Sequence, residues 1–598
     1  MKKIFQGFHE VVGVSVWAFK LYFSFAPFYT LLFVFTQILL SSSAIITSYL
    51  LGVAVDQVIK GAQTSTTALQ LSLVFLPLIV FQSVMSLVGI LQNHASRMLN
   101  ILENFRLREY LYRRLKVLGI TKLEDPDVVN YMYRFNESIG FMGNHLSLLT
   151  RTLSSAISLA TTVGVILVFI PRVLPLVFLA SIVEWSINQH FLRKIWQFSL
   201  ENTVDRRSAM QDVLALSDPN PLKELLIVGG VNFFERRYGH FVNKYVKKYR
   251  GIRNHWTLFL GGNELLQIAT YTAGIFLVVE KFLLQAISIG QLTFLFRSLN
   301  IFVDSFTGFG GNLVNLRESS IKLADSRALF VKFEPEVDGT IELAVNRSPE
   351  IEFKDVDFTY PHAKRKIFRK VSFKIKSGEK IAIVGENGAG KTTLVKLLSR
   401  LYRIDSGEIL IDGVNLNDIK INSWYENLGV LFQDYSKFGH LTVHENIALG
   451  RGDVLPDFEK IKKAATDSES IDFINMYSKK FNQVLSEQYP GGIRPSTGQW
   501  QKIAVARFFY REAPVLVLDE PTASIDAVSE SRIFNNIYKF MKGKTVIIIS
   551  HRFSTVRNAD RIFVVDKGHI VEQGSHEELL KKNGTYAKAF QLQAEGYE

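Results

Sequence analysis

The chain has 598 residues, 47% of them hydrophobic and 46 of them phenylalanine, so it is long enough for several domains and too apolar to be wholly soluble. Its net charge of +13 fits a positive-inside membrane protein resting on anionic lipid better than a nucleic-acid binder. There is no cysteine, which excludes disulfides and thiolate metal sites.

The N-terminus carries Lys2 and Lys3 without a small-residue cleavage site, so we read it as retained. Residues 5–22 are mildly amphipathic and read as an interfacial helix. Six apolar stretches follow, near 25–53, 68–91, 146–170, 173–187, 258–279 and 292–309. Crossing a bilayer takes roughly 20 apolar residues, so each reads as a span. After the second and fourth, the helical pattern continues through Arg106, Arg113 and Lys116, and through Lys194, Arg206 and Arg207. These extensions break at Asp125-Pro126 and at Asp218-Pro219. The long connections are rich in lysine and arginine and the short ones are not. That asymmetry places the long ones, and both termini, in the cytoplasm. Gly308, Gly310 and Gly311 near the sixth span suit a bend or close packing. Glu184, Asn188, His190, Glu264 and Asp304 are polar groups in apolar context. Such groups either contact cargo or pair between helices.

Residues 335–350 are polar and aperiodic and read as a linker. From residue 351 the pattern changes to short apolar strands separated by turns, beginning with the alternating run 351–358. Tyr360 at its end is an aromatic able to stack on adenine, or an ordinary strand-end tyrosine. Gly385-Glu386-Asn387-Gly388-Ala389-Gly390-Lys391-Thr392 then fits G-x-x-x-x-G-K-[ST] between an apolar strand and a helix opened by Thr393. The glycines let backbone N–H groups approach phosphates, Lys391 reaches the β- and γ-phosphates, and Thr392 can hold Mg²⁺. Four apolar residues end in Asp519-Glu520, a metal-holding carboxylate followed by a general base. A further apolar strand ends at His551, placed to bond the γ-phosphate and the water.

With these residues the chain resembles an ABC transporter half-subunit of the exporter type, over nearly its whole length. The resemblance implies an all-α six-helix transmembrane domain over 1–334, the linker, and an α/β P-loop nucleotide-binding domain over 351–598. It assigns Tyr360 to adenine and makes Gln433 the glutamine that senses Mg²⁺ and water. Ser524-Ile525-Asp526 becomes the loop crossing between domains, and His551 the switch histidine. The breaks at Asp125-Pro126 and Leu222-Lys223-Glu224 become coupling elements. Leu-Ser-Gly-Gly-Gln of the family is here Pro495-Ser496-Thr497-Gly498-Gln499. Ser496, Gly498 and Gln499 are kept as ATP contacts, while Thr497 threatens crowding and resists a positive φ. The glutamate exporters usually carry before this segment is missing from Tyr489-Pro490-Gly491-Gly492. The implied activity is ATP hydrolysis driving export of an amphipathic molecule, lipid, peptide or drug, with ATP and Mg²⁺ as cofactors. The implied partner is a second copy of the chain in a bacterial inner membrane, without nucleic acid. A heterodimer with a related half-transporter, and an ATP-gated channel or regulator, are the rival readings.

Overall fold

The computed structural model describes residues 2–63, 67–343, 348–452, 454–520, 527–550 and 556–595. They form two compact units, one of residues 1–118 with 122–334 and the other of residues 119–121 with 335–598.

The first unit is helical. Its long members are Lys2–Phe25, Pro27–Ser41, Ser43–Gln63, Leu76–Leu118, Pro126–Phe169, Leu174–Glu201, Val231–Leu283 and Ile289–Val331. Among the described residues, four stretches are long and apolar enough to cross a membrane: Pro27–Gln63, Ala68–Leu118, Asn144–Phe169 and Val231–Leu283. The segments read as fourth and sixth spans lie in Leu174–Glu201 and Ile289–Val331, which are helical but interrupted by Glu184 and Asn188, and by Arg297 and Asp304. Apolar packing joins these helices through Ile166, Val177, Val278, Leu295 and Phe302. The N-terminal helix buries Val14, Ala18 and Tyr22 and exposes Val12, Val16 and Phe23.

Polar groups inside this unit are paired across helices. Asp56 accepts from the Ser288 hydroxyl at 2.6 Å and from the Gly290 N–H at 2.7 Å. Beside them Gly52 and Gly290 bring two helix backbones together, and a Cβ on Gly290 would stand 2.2 Å from the Gly52 carbonyl oxygen. Of the polar residues singled out in the spans, Glu184 accepts from Gln267 at 2.9 Å and Asn188 from the Trp256 indole at 2.8 Å. Both are interhelical ties. Glu264 and Asp304 are exposed. The last long helix passes Gly308, Gly310 and Gly311 without a break, and space is open around the latter two. The two polar breaks share one local cause. Asp125 and Asp218 cap new helices whose first residues are Pro126 and Pro219, with the aspartate side chains accepting from Asp127 N–H (2.7 Å) and Asn220 N–H (2.9 Å).

The second unit holds two sheets. In the antiparallel sheet, β1 (Ile351–Phe358) pairs β2 (Phe368–Ile375) and β4 (Ser406–Ile411), with β5 (Val414–Asn415) at the edge. The alternation of β1 breaks at Lys354 and Asp355, both exposed, where a bulge shifts the register. In the central sheet the order is β10-β9-β3-β8-β7-β6: β3 is Lys380–Val384, β6 Leu428–Leu431, β7 Val515–Asp519, β8 Thr545–Ile549, β9 Arg561–Asp566 and β10 His569–Gly574. All neighbours from β9 to β6 run parallel. Continuous apolar runs such as Val515–Leu518 are what a parallel strand covered on both faces needs. Residues read as linker are bonded into this unit. Thr340 and Ile341 donate their N–H groups to the Asp418 carbonyl at 2.9 Å, and Arg400 reaches Asp338 at 3.1 Å.

Trp424 is fully buried beneath the sheets and donates its indole N–H to the Leu398 carbonyl at 2.7 Å. Trp424→Ala removes both the packing and the bond. We expect it to cost this unit about 3–5 kcal/mol, seen in calorimetry as an earlier unfolding transition of the nucleotide unit.

Candidate nucleotide site

Because β3, β6, β7 and β8 are parallel, their C-terminal ends lie along one edge, and the predicted residues follow those ends. The phosphate loop follows β3, Gln433 comes two residues after β6, and Asp519 closes β7 with Glu520 next. Such an edge is the usual ligand position in an open α/β sheet. His551, two residues beyond β8, and Ser524, Ile525 and Asp526 lie outside the described residues.

The loop is shaped by close approach. Gly390 has φ +108°, and a Cβ there would meet the Phe368 ring at 2.7 Å. The helix Lys391–Leu398 starts directly after it, so its N-terminal N–H groups point into the loop. Lys391 is buried, and its ammonium donates to the carbonyls of Gly385 and Glu386 at 2.9 Å each. Burial holds this amine below the ordinary lysine value, with Glu520 and Asp519 pulling the other way. Asp519, only 1% exposed, is pushed above the ordinary aspartate value, chiefly by burial. The Thr392 side chain bonds the Asp519 carboxylate and opposes that shift. One carboxylate oxygen of Asp519, Oδ2, is buried with no hydrogen-bond partner among the described residues. A buried oxygen of this kind, beside a threonine hydroxyl, is a donor set suited to a hard divalent cation.

Glu520 has φ +49°, a left-handed conformation costing a non-glycine residue roughly 1–2 kcal/mol. Its N–H is fixed by the Ile549 carbonyl of β8 at 3.0 Å, and its carboxylate accepts from the Gln433 amide at 2.8 Å. With this backbone the Glu520 carboxylate reaches Gln433, two residues after β6. Tyr360 is partly exposed. Its hydroxyl bonds Thr393 at 3.0 Å, and its ring meets Phe358 and Tyr402 edge-on at 5.0 and 5.2 Å.

Ser496, Thr497, Gly498 and Gln499 open the helix Thr497–Arg511. The Ser496 hydroxyl accepts from Gln499 N–H at 3.2 Å, and the Gln499 side chain accepts from Ser496 N–H at 2.9 Å. This reciprocal cap explains why Ser and Gln three apart persist in the altered motif. Thr497 has ordinary helical backbone and an exposed side chain, so the expected resistance to a positive φ does not arise. Sequence reading missed the residues that pin this segment. Tyr435 donates to the Thr497 carbonyl at 3.1 Å, and Tyr477 to the Gln499 side chain at 3.4 Å. It also missed Lys396, whose ammonium lies 5.4 Å from the Tyr360 ring centre. No local pattern marks such partners, since they are brought together only by the fold.

Fold and loop together define an ATP-binding P-loop domain joined to a helical membrane domain. Residues 368–523 match the ABC transporter family. The chain is 26% identical to the subtilin transport ATP-binding protein SpaT of Bacillus subtilis, over 81% of this chain and 79% of that one. It is 32% identical to the ATP-dependent lipid A-core flippase of Blochmanniella pennsylvanica, over 62% of each. A bacterial Atm1-family ABC exporter with ATP bound superposes with a TM-score of 0.81 at 25% identity, covering 94% of this chain and 98% of that one. Residues 368–523 thus carry an ABC transporter nucleotide-binding domain, and the chain as a whole is similar to exporter-type ABC half-transporters, in which a multi-pass membrane domain precedes such a domain.

Gly390→Ala tests the loop directly. The added Cβ meets Phe368 at a φ unsuited to alanine, and nucleotide binding should weaken about tenfold or more. Titration with a fluorescent ATP analogue reads this.

Proposed function

We propose that the chain is an ATP-driven exporter acting as a homodimer, with each ATP held between the phosphate loop of one copy and the Ser496–Gln499 helix start of the other. The observation that carries this reading is the contact between Gln433 and Glu520 at 2.8 Å beside the buried Asp519. In this reading the N–H groups of residues 385–393 cradle the phosphates, Lys391 moves from the loop carbonyls to the β- and γ-phosphates, and Tyr360 takes the adenine. Glu520 accepts a proton from the attacking water, Gln433 orients that carboxylate, and His551 holds the γ-phosphate. Mg²⁺ would be held by Thr392, Gln433 and Asp519, where it would offset phosphate charge. Ser496, Gly498 and Gln499 present the helix N-terminus to the second copy's γ-phosphate.

The boundaries we propose are a membrane domain over 1–334, a connection over 335–350 and a nucleotide domain over 351–598. Six crossings with both termini cytoplasmic follow from the lysine and arginine distribution. A bacterial cell membrane, the inner one where there are two, is the location we propose, and the bacterial relatives support it. Named relatives act on subtilin and on lipid A-core, and an amphipathic cargo is the class we infer for this chain. ATP must favour the closed dimer, and cargo affinity must differ between the two faces, for hydrolysis to drive net movement. The helix Pro219–Ile227 fits a coupling element, because Leu226 and Ile227 at its end are 64% and 87% exposed.

The test is ATP-dependent uptake of a labelled lipid or lipopeptide into inverted vesicles. Glu520→Gln should slow uptake about 10²- to 10⁴-fold while ATP binding persists. Equal uptake by the variant would refute Glu520 as the base. Ile227→Asp should uncouple the two halves: ATP hydrolysis continues while uptake falls. Unchanged uptake would remove this helix from the coupling path.

A further inference from the structure

One groove in the membrane domain is absorbed by neither the nucleotide chemistry nor the interhelical ties. It lies between the helices Leu174–Glu201 and Val231–Leu283 and has a volume of about 780 Å³. Ser186, His190 and Lys194 line one wall at successive four-residue steps, which puts them on one helix face. Lys248, His255 and Phe259 line the other. The two helices run in opposite directions here, so Lys194 stands at the same end as Lys248, and Ser186 at the same end as Phe259. The groove is therefore graded, with two ammonium groups at one end, two imidazoles in the middle and apolar walls at the other.

Every ionisable group lining it is a lysine or a histidine, with no aspartate or glutamate among the lining residues. The floor is built rather than loose. Phe191 is buried and stacks on Trp256 at 6.3 Å with the rings 8° apart, and Phe259 packs at 5.8 Å. The Trp256 indole is itself tied to Asn188. The Lys194 ammonium lies 5.7 Å from the Phe191 ring centre. His255 Nδ1 is 2.7 Å from the Gly251 carbonyl, which makes Nδ1 the protonated nitrogen and turns Nε2 to the groove.

We propose that this groove binds the phosphate headgroup of an anionic membrane phospholipid, with Lys194 and Lys248 on the phosphate and acyl carbon against Phe191 and Phe259. Charge complementarity and the polar-to-apolar grading select this occupant. A basic pocket between transmembrane helices on the cytoplasmic side is a recognised headgroup site. The cytoplasmic placement of the lysine end rests on the orientation proposed above.

The test uses the full chain in nanodiscs of mixed phosphatidylcholine and phosphatidylglycerol, with bound lipid read by native mass spectrometry. Lys194→Gln with Lys248→Gln should weaken phosphatidylglycerol retention roughly thirtyfold, from about 1 kcal/mol per lysine, and leave phosphatidylcholine retention unchanged. Lys463→Gln with Lys539→Gln, on the nucleotide domain, should change neither. Unchanged phosphatidylglycerol retention in the groove variant overturns the proposal. So does full displacement by inorganic phosphate, which marks a soluble-anion site, or loss of the dimer in the groove variant, which marks a contact between copies. ATP hydrolysis measured on the same samples separates this outcome from failure of the transporter reading, since these lysines lie outside the nucleotide site.

Discussion

Parallel pairing of β3, β8, β7 and β6 is the constraint on which the chemistry depends. Parallel strands must all end on the same edge, so residues far apart in the chain arrive together without any local instruction. Lys391, Gln433 and Glu520 are separated by tens of residues, yet each follows a strand of one sheet. Strand spacing near 5 Å then sets the lateral scale of the site, and the 2.8 Å contact of Gln433 with Glu520 is one product of it. The positive φ of Glu520 is affordable because its N–H is anchored on β8.

The electrostatics of that edge are set by charged groups held out of water. Lys391 is buried against carbonyl oxygens, Asp519 is buried with an oxygen lacking a partner among the described residues, and burial pushes both toward their neutral forms. Charged groups held this way are poorly compensated by the protein alone. In the proposed reading, a triphosphate and a divalent cation would provide the opposite charges, so that nucleotide binding would relieve a cost built into the folded chain. At the start of the helix Thr497–Arg511, by contrast, polar groups satisfy one another through the Ser496–Gln499 cap and the tyrosines behind it. A motif that has lost Leu and one Gly still forms a sound helix start.

Much of this was legible in the sequence because the signals were local. The phosphate loop, the apolar strands and the Asp-Pro helix starts each need only a few neighbouring residues to be recognised. Where side chains meet partners far along the chain, sequence gave no warning. Tyr435 against Thr497, Lys396 against Tyr360 and Trp256 against Asn188 depend on tertiary packing. The backbone half of the concern over Thr497 failed for a related reason. It assumed a glycine-only backbone from motif identity, whereas the local cap sets an ordinary helical conformation. Likewise, glycines 308, 310 and 311 suited a bend or close packing, and the helix Ile289–Val331 continues through all three, with open space at Gly310 and Gly311.

If the chain acts as a homodimer, one kind of chain completes the nucleotide site. Steady-state ATP hydrolysis by the chain purified alone in lipid nanodiscs, with Glu520→Gln as the background, tests this. Hydrolysis that rises with Mg²⁺-ATP and vanishes in the variant is the result predicted. No hydrolysis by the wild-type chain alone, recovered on adding a related half-transporter with an unaltered signature, would contradict it.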